Sequence, residues 1–286
     1  MQDWFAQPHV FVGLALVLGL LVGSFLNVVI HRLPIMLTQE WDRQAQLQLG
    51  LPEKAETGQR YGLLFPPSQC PKCAHPIKPW RNIPILSFLL LRGRCPHCEN
   101  PISWRYPLVE ALTGVAFALV AWHFGFGWAA LGAMILTAFL VAMIFIDAQT
   151  QLLPDQLTLP LLWLGLLFNL AHIYTDLPNA VLGAAVGYMA LWTLFQVFKL
   201  ITGKEGMGFG DFKLLAALGA WLGVASLPII VLMSSLVGLI FALLMRVSKG
   251  QAMPFGPYLA ISGWLVLMFQ QPIMQGVNWW LTKSGF

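Results

Sequence analysis

The stretch WAALGAMILTAFLVAMIFIDAQTQLLPD, Trp128 to Asp155, runs without a charge until it meets Asp147. A bilayer core about 30 Å thick takes about 20 apolar residues of helix to cross. The stretch therefore reads as a membrane helix that ends on a carboxylate. Similar runs recur along the chain, giving expected helix cores at 10 to 31, 106 to 124, 128 to 147, 156 to 173, 179 to 200, 212 to 223, 228 to 246 and 257 to 281. Only 10% of the 286 residues are charged, against roughly 25% in an average soluble chain. That is too little charge to cover a water-facing surface. The expected fold is an all-α polytopic membrane protein of about eight transmembrane helices, the sixth of them short. The first run lacks a basic start and a small-x-small site after it, so it reads as a retained span and not as a secretory signal.

Loops left in the cytoplasm carry the excess of Lys and Arg. Ten of the sixteen basic residues lie between Arg32 and Arg105. Threading eight spans puts Lys199, Lys204, Lys213, Arg246 and Lys249 on that same side and Lys283 opposite. The first long loop is thus expected in the cytoplasm. The net charge of +4 is read as a topology signal with some attraction to anionic lipid. Aromatic and basic residues do not interleave outside the spans, so no nucleic-acid partner is expected.

Composition divides the chain into a first helix (1–33), a polar loop domain (34–105) and a nearly continuous membrane portion (106–286). No tandem repeat is read in it. Within the loop, LTQEWDRQAQLQLG (Leu37 to Gly50) suits a short polar helix, and RNIPILSFLLLRGR (Arg81 to Arg94) holds an apolar run too short to span. The loop also holds two Cys-x-x-Cys knuckles, CPKC with Cys70 and Cys73, and CPHC with Cys95 and Cys98. Two such knuckles, so spaced, match a four-sulfur structural zinc site. Two disulfides or four free thiols are the other reading, disulfides being disfavoured in a cytoplasmic loop. A closed four-sulfur shell leaves no position for a reactive water, so the metal is expected to be structural. His75 and His97 lie beside the knuckles and are read as surface residues.

Acids at membrane depth are functional candidates by default. Four stand out: Glu110, Asp147, Asp155 and Asp211. Asp155 follows a proline and suits a helix cap. Glu110 is open between a site residue and the partner of an arginine. Asp147 ends the third span and Asp211, in GMGFGDFKLLAALGAW (Gly206 to Trp221), begins the sixth, so both fall at the cytoplasmic edge. Two close carboxylates cannot both ionise cheaply; one keeps a proton while the other activates water. Gly208 and Gly210 are expected to give the backbone unusual freedom and to clear space for an extended substrate chain. Read locally, Asp211 could equally cap its helix and Asp147 could be an interfacial polar end.

The segments GSFLNVVIHRLP, the two cysteine knuckles, RYPLVEALTG, DAQTQLLPD, GMGFGDFKLLAALGAW and MPFGPYLA together resemble the type IV prepilin peptidases along nearly the whole chain. The resemblance implies an aspartic endopeptidase and N-methyltransferase of the inner membrane, with Asp147 and Asp211 catalytic. It implies as substrates type IV prepilins and the pseudopilins of type II secretion, cut at the cytoplasmic face after a Gly to remove a basic leader. The new amino terminus, usually a Phe, would then be methylated from S-adenosylmethionine, an activity the family associates with the loop and with a glycine matching Gly93. His31 departs from the pattern, where Tyr is more usual. Asn27 and Arg32 match it, though helix packing and interfacial anchoring would also explain them. A proton-coupled transporter or a zinc-bearing scaffold without activity are the competing classes. A transporter would place its acids near mid-membrane and show symmetry between halves.

Overall fold

The computed structural model describes residues 7–51, 61–70, 72–77, 83–204, 206–244 and 253–284. It is helical, with no strand among the described residues and only isolated bridges at Gln69 with Pro76 and Arg94 with Pro101. By packing, the chain forms two compact units, Met1–Gly125 and Phe126–Phe286.

The first unit contains α1 (Pro8–Gln48), a short α2 (Leu86–Leu90) and α3 (Arg105–Phe124). The α1 helix is 41 residues long. At a rise of about 1.5 Å per residue it extends for roughly 60 Å, about twice the thickness of a bilayer core. The separate polar helix expected at 37–50 is instead the continuation of the first one. Pro34 is accommodated within the helix, the Thr38 hydroxyl bonds to its carbonyl at 2.9 Å, and Glu40 pairs with Arg43 one turn on at 2.9 Å. Strong helix formers then carry the chain to Gln48. Crossing α1 against α3 requires small residues. A Cβ at Gly19 would stand 2.7 Å from the Thr113 carbonyl oxygen, and one at Gly23 would stand 2.8 Å from the Glu110 Cα. This Gly-x-x-x-Gly spacing lets two membrane helices touch backbone to backbone. The run read between Arg81 and Arg94 holds α2; Arg81 and Asn82 lie outside the described residues, and Leu86, Leu89 and Leu90 are exposed.

The second unit contains α4 (Trp128–Thr150), α5 (Asp155–Leu170), α6 (Leu177–Thr202), α7 (Phe209–Leu222), a single turn at Val224–Ser226, α8 (Leu227–Leu244) and α9 (Gly256–Ser284). In α9 the helix is broken at Phe269, shortly before Pro272, at φ −123° and ψ 27°, as a proline's missing N–H and ring clash would cause. At the centre of the unit lies α7, packed against α5, α6 and α9. Its 14 residues reach only about 21 Å. Nearly all of them from Asp211 to Leu222 are buried, so this helix is apolar because protein, not lipid, surrounds it. Gly183 and Gly187 of α6 approach Gly219 and the Leu215 carbonyl of α7. The far end of α7 is fixed by Asn169, whose amide donates to the carbonyls of Ala220 at 2.8 Å and Trp221 at 3.1 Å.

Among the described residues, five helices are long and apolar enough to cross a membrane by themselves: α1, α3, α4, α6 and Val224–Leu244. The chain is thus a multi-pass membrane protein. Of the other three expected cores, α5 and α7 are short, and α9 is long enough but less apolar. Arg246 and Lys249, used to orient the chain, lie outside the described residues.

Candidate active site and metal centre

Asp147 and Asp211 both belong to the second unit and are buried, at 4% and 7% exposure. The α4 helix ends one turn after Asp147, where Gln151 takes a left-handed conformation, φ 55°, and its N–H bonds back to the Asp147 carbonyl at 2.9 Å. The short turn that follows leads into α5 and carries Leu153. On the other side, Gly208 is the N-cap of α7, so Asp211 sits in the first helical turn. Its carboxylate reaches back to the Gly208 amide, the acid half of a capping box. Asp147 lies within electrostatic reach of it.

Two residues unread in the sequence hold these parts together. The Gly256 amide, at the start of α9, points at the Asp147 carboxylate. A Cβ on Gly256 would lie 2.6 Å from Asp147 Oδ2 and 2.9 Å from Leu153 Cδ1, while a Cβ on Gly210 would lie 2.6 Å from Leu153 Cβ. Leu153 is thus wedged between the backbone of Gly210, which precedes Asp211, and that of Gly256, which faces the Asp147 carboxylate. MPFGPYLA and DAQTQLLPD contained both residues, but without a chemical group to mark them. The glycines before Asp211 also work differently from expectation. Gly208 is in ordinary extended backbone, φ −82° and ψ 150°, which any residue adopts. The space around it is open, its nearest neighbour to an added Cβ being Asp211 Oδ2 at 4.0 Å. Gly210 is needed for clearance against Leu153, not for conformational freedom.

The remaining acids separate from this pair. Asp155 does not cap α5; it is the first helical residue and accepts Lys213 Nζ at 2.6 and 2.8 Å, joining α5 to α7. Glu110 lies in the first unit, 8% exposed, and accepts the Ile85 amide at 2.7 Å and the Ser24 hydroxyl. Arg32 is buried, at 8% exposure. Its guanidinium donates to the carbonyls of Gly62 at 2.9 Å, Leu63 at 3.4 Å and Pro66 at 2.7 Å.

The cysteines form two copies of one turn. Cys70–Ile77 and Cys95–Ile102 read Cys-Pro-x-Cys-x-x-Pro-Ile, a short repeat missing from the sequence expectations. Their bonds match: Cys70 N–H to the His75 carbonyl at 3.0 Å and Cys95 N–H to the Asn100 carbonyl at 2.9 Å, then Ile77 N–H to Ser68 and Ile102 N–H to Gly93, each at 2.7 Å. Ala74 and Glu99 take the same left-handed conformation, φ 55° and 56°. All four sulfurs lie within 4.8 Å of one another, with no disulfide. Cys70 and Cys98 Sγ are 3.8 Å apart, the separation that a tetrahedral metal with bonds of about 2.3 Å produces. The Cys73 and Lys72 amides lower the Cys70 thiol to about 6. Cys73 is raised to about 12 despite the His75 amide aimed at it, through burial and three neighbouring sulfurs. Four thiolates so close need a cation, and the group fits a metal. His75 and His97 stack ring on ring at 4.6 Å and are not in the cluster. Gly93, φ 67°, has Phe88 3.1 Å from an added Cβ and turns the chain into the second knuckle.

Comparison with known proteins agrees along the chain. The family model described as the bacterial peptidase A24 N-terminal domain matches residues 17–124, and that of the type IV leader peptidase family matches residues 134–243. A protein named prepilin leader peptidase/N-methyltransferase from Neisseria gonorrhoeae is 56% identical over 282 residues, 99% of each chain. Proteins of the same name from Stutzerimonas stutzeri, 53% identical over 94% of each chain, and from Pseudomonas aeruginosa, 52% identical over 100% of this chain and 99% of the other, are similar throughout. No solved structure matches.

Proposed function

The chain belongs to the type IV leader peptidase family, and from that premise we infer that it is an enzyme that removes the leader from prepilins and N-methylates the product. The names of the relatives described above point neither to transport nor to a scaffold without activity. We assign the cleavage to Asp147 and Asp211. The observation that carries this is their arrangement: two buried carboxylates, from the C-terminal turn of α4 and the first turn of α7, meet around Leu153 in a unit otherwise poor in acids.

With one carboxylate protonated and the other ionised, the pair can bind a water, take one of its protons and polarise the scissile carbonyl. The water oxygen bonds to the carbonyl carbon, the C–N bond breaks, and the amine leaves with a proton from the acid. The helix dipole favours negative charge at the start of α7 and disfavours it at the end of α4, by about 1 kcal/mol at most. Asp211 is therefore the base and Asp147 the acid. Open space at Gly208 beside Asp211 suits the backbone of an extended substrate.

The finer reading follows the sequence. The eight helical segments form eight spans with the 34–105 loop and the aspartates at the cytoplasmic face of the inner membrane. There a prepilin or pseudopilin keeps its apolar helix in the bilayer while its basic leader stays in water, and the cut falls after a Gly. The four cysteines hold a structural zinc that ties the loop together. The loop domain serves methyl transfer, S-adenosylmethionine supplies the methyl group, and Gly93 supports that activity through its turn. A test is incubation of the purified protein with a synthetic prepilin and S-adenosylmethionine, followed by mass spectrometry. Leader loss followed by a gain of one methyl on the mature peptide is expected; an intact peptide would overturn the assignment.

A further inference from the structure

The first unit encloses a cavity of about 440 Å³ among α1, α3 and the knuckles, within the size range of pockets that take small molecules, about 300–1,000 Å³. Its walls combine flat rings with two acceptors. Tyr61, Phe88 and Tyr106 supply the rings. Glu110 is the one carboxylate among the described lining residues. Across the close α1/α3 crossing at Gly23 stands Asn27, 4% exposed. Its Nδ2 donates to the Tyr106 carbonyl at 3.0 Å, and its Oδ1 has no hydrogen-bond partner. A buried acceptor without a donor is costly, and it is what a ligand with an N–H group would satisfy. Arg32, the guanidinium on this face of α1, is committed to the carbonyls of Gly62, Leu63 and Pro66. It holds the segment that walls the cavity and does not neutralise Glu110. A ring-lined chamber with a carboxylate and an unsatisfied acceptor suits a cation that carries an aromatic base.

We propose that this cavity holds the methyl donor, with Glu110 set against its positive sulfur and Asn27 Oδ1 accepting one of its N–H groups. This rests on the reading that the chain methylates from S-adenosylmethionine. The knuckles then have a second role, since Cys70, Cys95 and the prolines that follow the turns line the same space: the metal centre shapes the chamber wall. Arg32 and Asn27 thereby gain functions that helix packing alone does not give them.

Isothermal titration calorimetry on the full, metal-loaded chain in detergent tests the proposal without turnover. The probes are S-adenosylmethionine and S-adenosylhomocysteine, which differ in the positive charge on sulfur. The wild type should bind both. Glu110→Gln keeps the shape and an acceptor for Ile85 and Ser24. It should weaken S-adenosylmethionine by about tenfold or more while leaving S-adenosylhomocysteine within about twofold, because only the first loses an ion–ion attraction. Asn27→Leu, with zinc content equal to wild type, should weaken both. A purely structural role for Glu110 would lower both affinities equally, and that result, or unchanged binding of S-adenosylmethionine, overturns the proposal. Binding of neither probe by the wild type would overturn the donor reading itself, and the proposal with it.

Discussion

At the scale of residues, two chemically inert positions hold the parts around the acids. Gly256 and Leu153 fill the space between Asp147 and the backbone that carries Asp211, and the added Cβ distances of 2.6 Å at both Gly256 and Gly210 leave no slack. Misplacing a catalytic group by about 1 Å can cost about 100-fold in rate. Gly256→Ala and Gly210→Ala are therefore expected to lower kcat for leader removal by about 10- to 100-fold. Gly208→Ala, with its nearest neighbour at 4.0 Å, should stay within a few-fold unless the substrate backbone needs that space, in which case KM rises and kcat holds. The two acids themselves were legible, because a carboxylate is conspicuous in a chain with 10% charge. Leu153 and Gly256 were not, since a steric wedge has no chemical signature. Asp155 shows the converse: its place after Pro154 suggested a cap, but Lys213, distant along the chain, is its partner. That pair is half exposed on the Asp155 side, so Lys213→Met is expected to change stability by less than about 1 kcal/mol.

At the scale of elements, α7 is the helix around which the second unit is built, and its ends are fixed by opposite means. Its N-terminus carries Asp211, while the Asn169 amide donates to its C-terminal carbonyls and the Asn169 Oδ1 accepts the amides of Tyr174 at 3.0 Å and Thr175 at 3.1 Å. Asn169→Leu would orphan several buried groups, each worth about 1–3 kcal/mol. Thermal unfolding in detergent should show a loss of about 2–4 kcal/mol, with any residual cleavage following the folded fraction. Periodicity and apolar length located all eight helical segments within a few residues of their observed limits, the far end of α1 excepted. They gave α7 as short but did not show that protein surrounds it, because an apolar helix sheathed in protein and one sheathed in lipid have the same composition. Nor did they show that α1 runs on through Pro34, since the polar residues beyond it looked like a separate element.

At the scale of the whole molecule, the proposed assignment gives each of the two compact units its own chemistry. The knuckles, Glu110 and the cavity belong to Met1–Gly125, whereas the aspartates belong to Phe126–Phe286. Removing the metal with a chelator at neutral pH is expected to abolish methyl transfer and to leave most of the leader cleavage, followed by separate assays on uncut and precut peptide. The repeat of Cys70–Ile77 in Cys95–Ile102 was present in the sequence too. It is inconspicuous there because the unrelated stretch from Lys78 to Arg94 separates two short copies whose only distinctive atoms are the sulfurs. The direct test of the central claim is to measure, for Asp147→Asn and Asp211→Asn, the rate of leader cleavage and the rate of methylation of precut peptide. Loss of cleavage in both variants, with methylation near the wild-type rate, is the predicted result. Cleavage at the wild-type rate in either variant would contradict the assignment of the two aspartates.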